Sequence, residues 1–230
     1  MKNSGKGLVK LLIILGVIAV VVVGGLYITF RTGKTVKTAY SAADLKSYSD
    51  KTGVVFDENS AGYQDYLSGK YKAIGSKAVK GFLSNAEITA IINKTAAESG
   101  AFKNFAVKLN ADGTAEMSFV VDKNIEAVYA MLPEAKAFDK FIKMAVGSHV
   151  YIKEDLNYMG GDKFEATTLE MKLGVIPLPV DLVNDYATPA GTSVNNIISK
   201  MEGLQIDKFE LVEGGLNFEG TIPTSVVKTP

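Results

Sequence analysis

The chain contains no cysteine, no tryptophan and a single histidine, His149. Without cysteine there is no disulfide, no zinc–thiolate or iron–sulfur site and no thiol nucleophile. One histidine leaves no multi-histidine metal site, and His149 itself precedes a predicted strand, where it reads as a surface or interface residue. A phosphate-cradling glycine loop is lacking too, because Gly160-Gly161 falls in a hairpin turn and not between a strand and a helix. Acid is absent from the first forty residues, which hold Lys2, Lys6, Lys10, Arg31, Lys34 and Lys37. The other residues carry 19 basic and all 25 acidic side chains, a net charge of −6. A mildly acidic domain does not suit nucleic acid, whose binding depends on neutralising phosphates.

What is present is a 47% apolar, 22% charged chain of 230 residues, enough for one membrane segment and one ordinary domain. Leu11 to Phe30 reads LLIILGVIAVVVVGGLYITF, an uncharged run of 20 residues. As a helix it spans about 30 Å, the hydrocarbon thickness of a bilayer. Tyr27 and Phe30 fall at one end, where aromatic rings suit the interface. The run is too long and uninterrupted for a buried core helix, and no small-x-small cleavage site follows it, so it predicts an uncleaved anchor. Its beginning looks superficially like a type IV pilin start. It lacks the glutamate that start requires, since the fifth residue beyond Gly7 is Leu12. Three cations precede the run and three follow. The α-amine and Lys10 tip the balance towards a cytoplasmic tail and an extracytoplasmic domain.

Residues 31–80 show no sustained period and read as a partly ordered spacer, with one helix near Ala42–Tyr48 and a short strand at Val54–Phe56. From Ser84 the pattern becomes regular. Ser84 and Glu87 form a capping box ahead of Ile88, Ile91, Ile92 and Ala96, and Gly100 stops that helix. Period-two segments flank Asn110-Ala111-Asp112-Gly113, predicting a hairpin. Ile125–Leu132 and Phe138–Ala145 read as helix on either side of Pro133, which ends or kinks the first. His149–Leu156 and Lys163–Leu173 make a second hairpin. A short helix from Val180 to Tyr186 and another from Thr192 or Ser193 to Met201 precede a third, Leu204–Val212 with Leu216–Ile222. The expected fold is therefore α+β: an N-terminal transmembrane helix, then about six antiparallel strands in three hairpins packed against helices. The division is a tail over 1–10, an anchor over 11–30, a spacer over 31–80, the domain over 81–223 and a C-terminal tail over 224–230.

No residues announce catalysis. Asp57-Glu58, Glu154-Asp155 and Asp181 with Asp185 lack the spacing of a calcium loop and read as solvated acids at turns and helix starts. Asn93-Lys94-Thr95 matches a glycosylation sequon but lies inside a predicted helix. The more informative segment is Gly174-Val175-Ile176-Pro177-Leu178-Pro179. Two prolines remove two amide donors, so it must border the sheet or cross one end of it. Leu169, Met171 and Leu173 precede it on one face. With Val175, Ile176 and Leu178 they are the candidate lining of an apolar site.

LGVIPLPVDLVNDY (173–186), the helix SVNNIISKM (193–201) and a closing hairpin ending in GTIP (220–223) resemble the C-terminal half of the YpmS-like family. LSNAEITAIINK (83–94) is similar to that family's early helix start. The resemblance covers roughly residues 80–223. It implies a Gram-positive, membrane-anchored protein with an extracytoplasmic domain, and no catalytic residues or cofactors. A broader likeness is to tubular lipid-binding domains, in which a long helix lies in a curved antiparallel sheet. The resulting expectation is a non-catalytic, membrane-tethered domain that binds a lipid or other apolar ligand near the bilayer. The alternatives are a cell-envelope scaffold with a fully packed core and a protein partner, and a carboxylate-dependent hydrolase.

Overall fold

The computed structural model describes residues 32–96, 99–131, 136, 139–161, 163–181, 184, 195 and 198–230. The expected membrane segment Leu11–Phe30, the Pro133 kink and most of the helices expected over 180–186 and 192–201 lie outside these residues. Among the described residues no helix is long and apolar enough to cross a membrane.

In chain order the described elements are α1 (Ala42–Thr52), α2 (Tyr63–Ser68), β1 (Tyr71–Ile74), β2 (Lys77–Ser84), α3 (Asn85–Ala96), β3 (Phe102–Leu109), β4 (Thr114–Val121), α4 (Ile125–Met131), α5 (Asp139–Ala145), β5 (His149–Gly160), β6 (Lys163–Leu173), β7 (Ile176–Pro177), β8 (Gln205–Val212), β9 (Gly215–Ile222) and β10 (Ser225–Lys228). They form three sheets: β1-β10, β2-β9-β8 and β3-β4-β5-β6-β7. Every pairing is antiparallel, so the protein is α+β with antiparallel sheets and a few helices.

Turn chemistry fixes the hairpins. Between β3 and β4, Gly113 takes φ 85° and Asp112 Oδ1 accepts the Thr114 amide at 3.0 Å. Such positive φ is nearly free for glycine and strained for other residues. Gly160 and Gly161, at φ 90° and 62°, let β5 run to residue 160, farther than the alternation alone predicts.

The division drawn from sequence at residue 80 does not follow the fold. β2 pairs with β9 from Lys77↔Ile222 to Ser84↔Gly215. β1 pairs with β10, built from residues expected to be a tail. Tyr48 of α1 is buried in the core. β1 and β10 escape a reading by periodicity because each is only four residues long. The helix expected near Ala42–Tyr48 is α1, which runs on to Thr52 and buries only Tyr48 and Thr52. No strand forms at Val54–Phe56.

Two apolar clusters hold the sheets and helices together. The first joins α1, α3 and the three-stranded sheet to Val107 and Leu109 of β3 through Val79, Leu83, Leu216 and Phe218. The second lies on the five-stranded sheet, where Phe105, Phe119, Val121 and Val150 pack with Val128 of α4 and Ala145 of α5. Burial of such side chains is worth about 1.5–3 kcal/mol each before entropy is counted.

Helix α3 has a second task besides apolar packing. Its most buried side chains are Glu87, Thr89 and Ala90, while Ile88, Ile91 and Ile92 are only partly covered. Asn85 Oδ1, Thr89 Oγ1 and Asn93 Oδ1 accept the amides of Leu109, Val107 and Phe105 at 2.9, 3.0 and 3.0 Å. Four helical residues rise about 6 Å and two strand residues about 6.6 Å, so the two spacings run in step. The helix thereby occupies the open edge of β3 as a neighbouring strand would. At the other edge Asn184 exchanges two hydrogen bonds with the backbone of Thr168, and Asn195 two with Phe164. An unpaired edge is a template for aggregation, and side-chain amides close both of these.

Candidate functional site

The five-stranded sheet has one face turned to the core and one turned away from it. On β4, Ala115, Met117 and Phe119 point to the core, while Thr114, Glu116 and Ser118 alternate to the other face. That outer face is crossed by residues 33–38, which begin three residues beyond the apolar run. The Val36 amide donates to Ser118 Oγ at 3.0 Å and Thr38 Oγ1 to the Val107 carbonyl at 2.7 Å. Gly33 abuts the backbone of Gly174. A Cβ placed on Gly33 would lie 2.6 Å from the Gly174 carbonyl carbon and closer still to its oxygen.

Lys34 is the centre of the polar cluster beneath this strap. Its Nζ donates to Tyr151 Oη at 2.7 Å and to Glu170 Oε2 at 2.9 Å, and stands 3.9 Å from both Glu116 Oε2 and the Tyr151 ring centre. Tyr151, only 1% exposed, donates its own hydroxyl to Glu116 Oε2 at 2.6 Å. Lys172 pairs with Glu170 at 2.5 Å. The Tyr151 hydroxyl, aided by Asn110, Lys34 and Lys108, holds Glu116 below the usual carboxylate range against the opposing effect of burial. Lys172 and Lys34 do the same for Glu170. Burial, and then the Glu116 carboxylate, pushes the Tyr151 phenol up to about 12. Burial works against the Lys34 charge, but its bonds to Tyr151 and Glu170 outweigh that and hold the ammonium above its ordinary value. All four groups therefore keep their charge state through neutral pH. Charge-assisted bonds from Lys34 to Tyr151 and Glu170 thus clamp the strap to the sheet.

The carboxylates singled out by sequence are placed differently. Asp57 closes a turn by accepting the Asn59 amide at 2.8 Å. Asp155 and Asp181 are exposed, and Asp185 lies outside the described residues. Burial pushes the Glu154 carboxyl up. Glu154 stands opposite Ala115, on the core face, whereas Glu116 and Glu170 point to the strap. A raised acid and two lowered ones on opposite faces of a sheet cannot act on one bond. Among the described residues no group of three or more His, Asp or Glu side chains is placed to hold a metal ion. The Asn93 amide of the sequon is engaged at both ends, with Nδ2 donating to the Phe105 and Thr89 carbonyls. His149 is half-buried, and its carbonyl accepts the Gly174 amide at 2.7 Å.

The six apolar candidates separate into three kinds. Met171 and Leu173 pack against the second core cluster. Ile176 pairs with Leu173, and the Leu178 amide donates to the Met171 carbonyl at 2.9 Å, so this proline-bearing segment borders the sheet as a short edge strand. Leu169 and Val175 are 48% and 52% exposed. Leu169 was expected to share a face with Met171 and Leu173. A bulge opposite Lys153 and Glu154 puts Thr168 in the inward position instead, because a one-residue slip exchanges the faces of a strand. A concavity lies elsewhere among the described residues. A groove of about 440 Å³ between α1 and α3 is lined by Tyr40, Leu45, Ala90, Asn93 and Lys94 among others.

The strap and its clamp are the part of this site that sequence reasoning missed. The alternation of Glu116, Ser118, Tyr151 and Lys153 marks a polar face, but nothing local says which distant segment covers it. Comparison with protein-family models, with characterised proteins and with solved structures finds no match for this chain.

Proposed function

We propose that this is a non-catalytic, membrane-tethered extracytoplasmic protein of the cell envelope, in which Leu11–Phe30 crosses the bilayer once and the α+β domain serves as a scaffold or interaction module. The observation that supports it most is the strap. Gly33 to Thr38 is fastened to the sheet immediately beyond the apolar run, which suits a domain held at a fixed distance from the bilayer. The packing of Met171 and Leu173 into the core favours a module acting through its surface over one enclosing a ligand at residues 169–178. The resemblance to the YpmS-like family supports the anchor and the extracytoplasmic side of this reading.

Alkaline carbonate extraction of membranes bearing the full chain, with protease added to intact cells, tests the reading. The expected result is a chain that stays with the membrane pellet and a domain that is cleaved from outside. A chain that is freely soluble with its amino end intact, or a domain protected inside the cell, sinks it.

Uptake of a lipid or other apolar ligand is a second reading, favoured by the groove at Tyr40, Leu45 and Ala90, whose volume is in the range of small-molecule sites. Native mass spectrometry of the detergent-extracted chain should then find a lipid that Leu45→Arg removes. Repeated absence of any adduct rejects it.

A further inference from the structure

We propose that the Gly174–Val175 turn between β6 and β7 is the edge on which the domain meets the lipid surface, with Val175 in contact with lipid. This rests on the tethered reading above and adds to it which part of the domain faces the bilayer.

The argument is one of covalent reach. Phe30 ends the apolar run, and Gly33 is three residues beyond it. Successive Cα atoms are about 3.8 Å apart, so Gly33 lies no more than ~11 Å from Phe30 however the chain runs. The headgroup layer on one side of a bilayer is about 5–8 Å deep. A chain leaving the hydrocarbon at Phe30 therefore places Gly33 in the headgroup layer or just above it. Gly33 touches Gly174, and the bonds of Lys34 and Val36 to the sheet keep it there. The turn is carried to the lipid surface with the tether.

What the turn presents there is suited to lipid. Val175 is 52% exposed, and Pro177 and Pro179 are exposed in alternation with the partly covered Ile176 and Leu178. Residues 173–180 carry no charge. Since the residues beyond Tyr40 carry a net negative charge, an uncharged apolar ridge is what they can offer an anionic surface without repulsion. The far end of the same hairpin exposes Met159, also apolar and 56% exposed. Ten residues of β5 separate it from His149, which holds the turn, a distance of about 33 Å, so it serves as an internal control.

The absence of cysteine makes the test direct. Val175→Cys and Met159→Cys in the full-length chain are each labelled with a nitrobenzoxadiazole fluorophore. The proteins are reconstituted into vesicles of phosphatidylcholine and phosphatidylglycerol, with and without lipid bearing a nitroxide near the headgroup. The expected result is co-flotation of both proteins with the vesicles and quenching severalfold stronger at position 175 than at 159. If the proteins float but quenching is equal at the two sites, or stronger at 159, the docking edge is wrong while the tether stands. If they do not float, the tethered reading has failed and this proposal falls with it.

Discussion

Asn93 and Phe105 exchange two hydrogen bonds as though they were paired residues of neighbouring strands. The Asn93 amide group donates to the Phe105 carbonyl at 2.7 Å, and its oxygen accepts the Phe105 amide at 3.0 Å. With Thr89 and Asn85 it makes one helix face complementary to a strand edge. Such a face needs polar residues where an amphipathic helix would carry apolar ones.

Asn93→Ala should leave both backbone groups of Phe105 without a partner. The expected loss is about 1–3 kcal/mol of unfolding free energy, read from urea denaturation. Amide exchange at Phe105 should accelerate more than at Leu109, which Asn85 still holds. Uniform acceleration along β3, or no change in stability, would contradict the edge role.

Glu87 ties α1 to α3. Its buried carboxylate accepts Ser47 Oγ at 2.5 Å, Lys51 Nζ at 2.7 Å and the Ser84 amide at 2.7 Å. Burial alone would push its carboxyl up, but the bonds from Lys51, Ser47 and Ser84 outweigh it and hold the group below the usual carboxylate range. The unfolded chain therefore takes up protons first as pH falls. The stability from Glu87 is complete above the unfolded value of about 4.3 and is lost as pH drops through the lower folded value. Glu87→Gln should cost about 1–3 kcal/mol at neutral pH, towards the low end because Lys51 can turn to water. The variant should also show a flatter decline between pH 5 and pH 3 in the same urea titration. Glu154 has the opposite sign. Burial raises it, so Glu154→Gln should raise the urea midpoint at neutral pH and lose that advantage on acidification.

Gly33 has no room for a side chain against Gly174. Gly33→Val should lift the start of the strap from the β6–β7 turn, at an overpacking cost of about 1–3 kcal/mol. Hydrogen exchange at the Val36 amide, which is bonded to Ser118, should increase well before exchange in β4 and β5 does. Unchanged protection at Val36 would show that the strap does not depend on this contact.

The legible parts of the fold are those governed by neighbours in sequence. The Ser84–Glu87 capping box forms with both bonds, at 2.7 and 3.2 Å. The three hairpins form at their glycine turns, and the two prolines confine residues 176–179 to a sheet margin. Read as a cap, Glu87 also appears complete. Nothing near it in sequence reveals that the same carboxylate reaches Ser47 and Lys51, about forty residues away. Leu169 was misplaced for a similar reason, because a bulge on β6 is decided by the strand it pairs with.

Composition and local order thus determined where the chain is apolar enough for a bilayer, which segments turn, and which alternate as strands. Those properties depend on φ preferences, hydrogen-bonding groups and spacing within a few residues. Only the tertiary structure decided that Lys34 lies between Tyr151 and Glu170, that Asn85, Thr89 and Asn93 close a sheet edge, and that Gly33 rests on Gly174. Each of these is a contact between groups far apart in sequence, made when packing of the two cores brings their carriers within hydrogen-bonding or van der Waals distance.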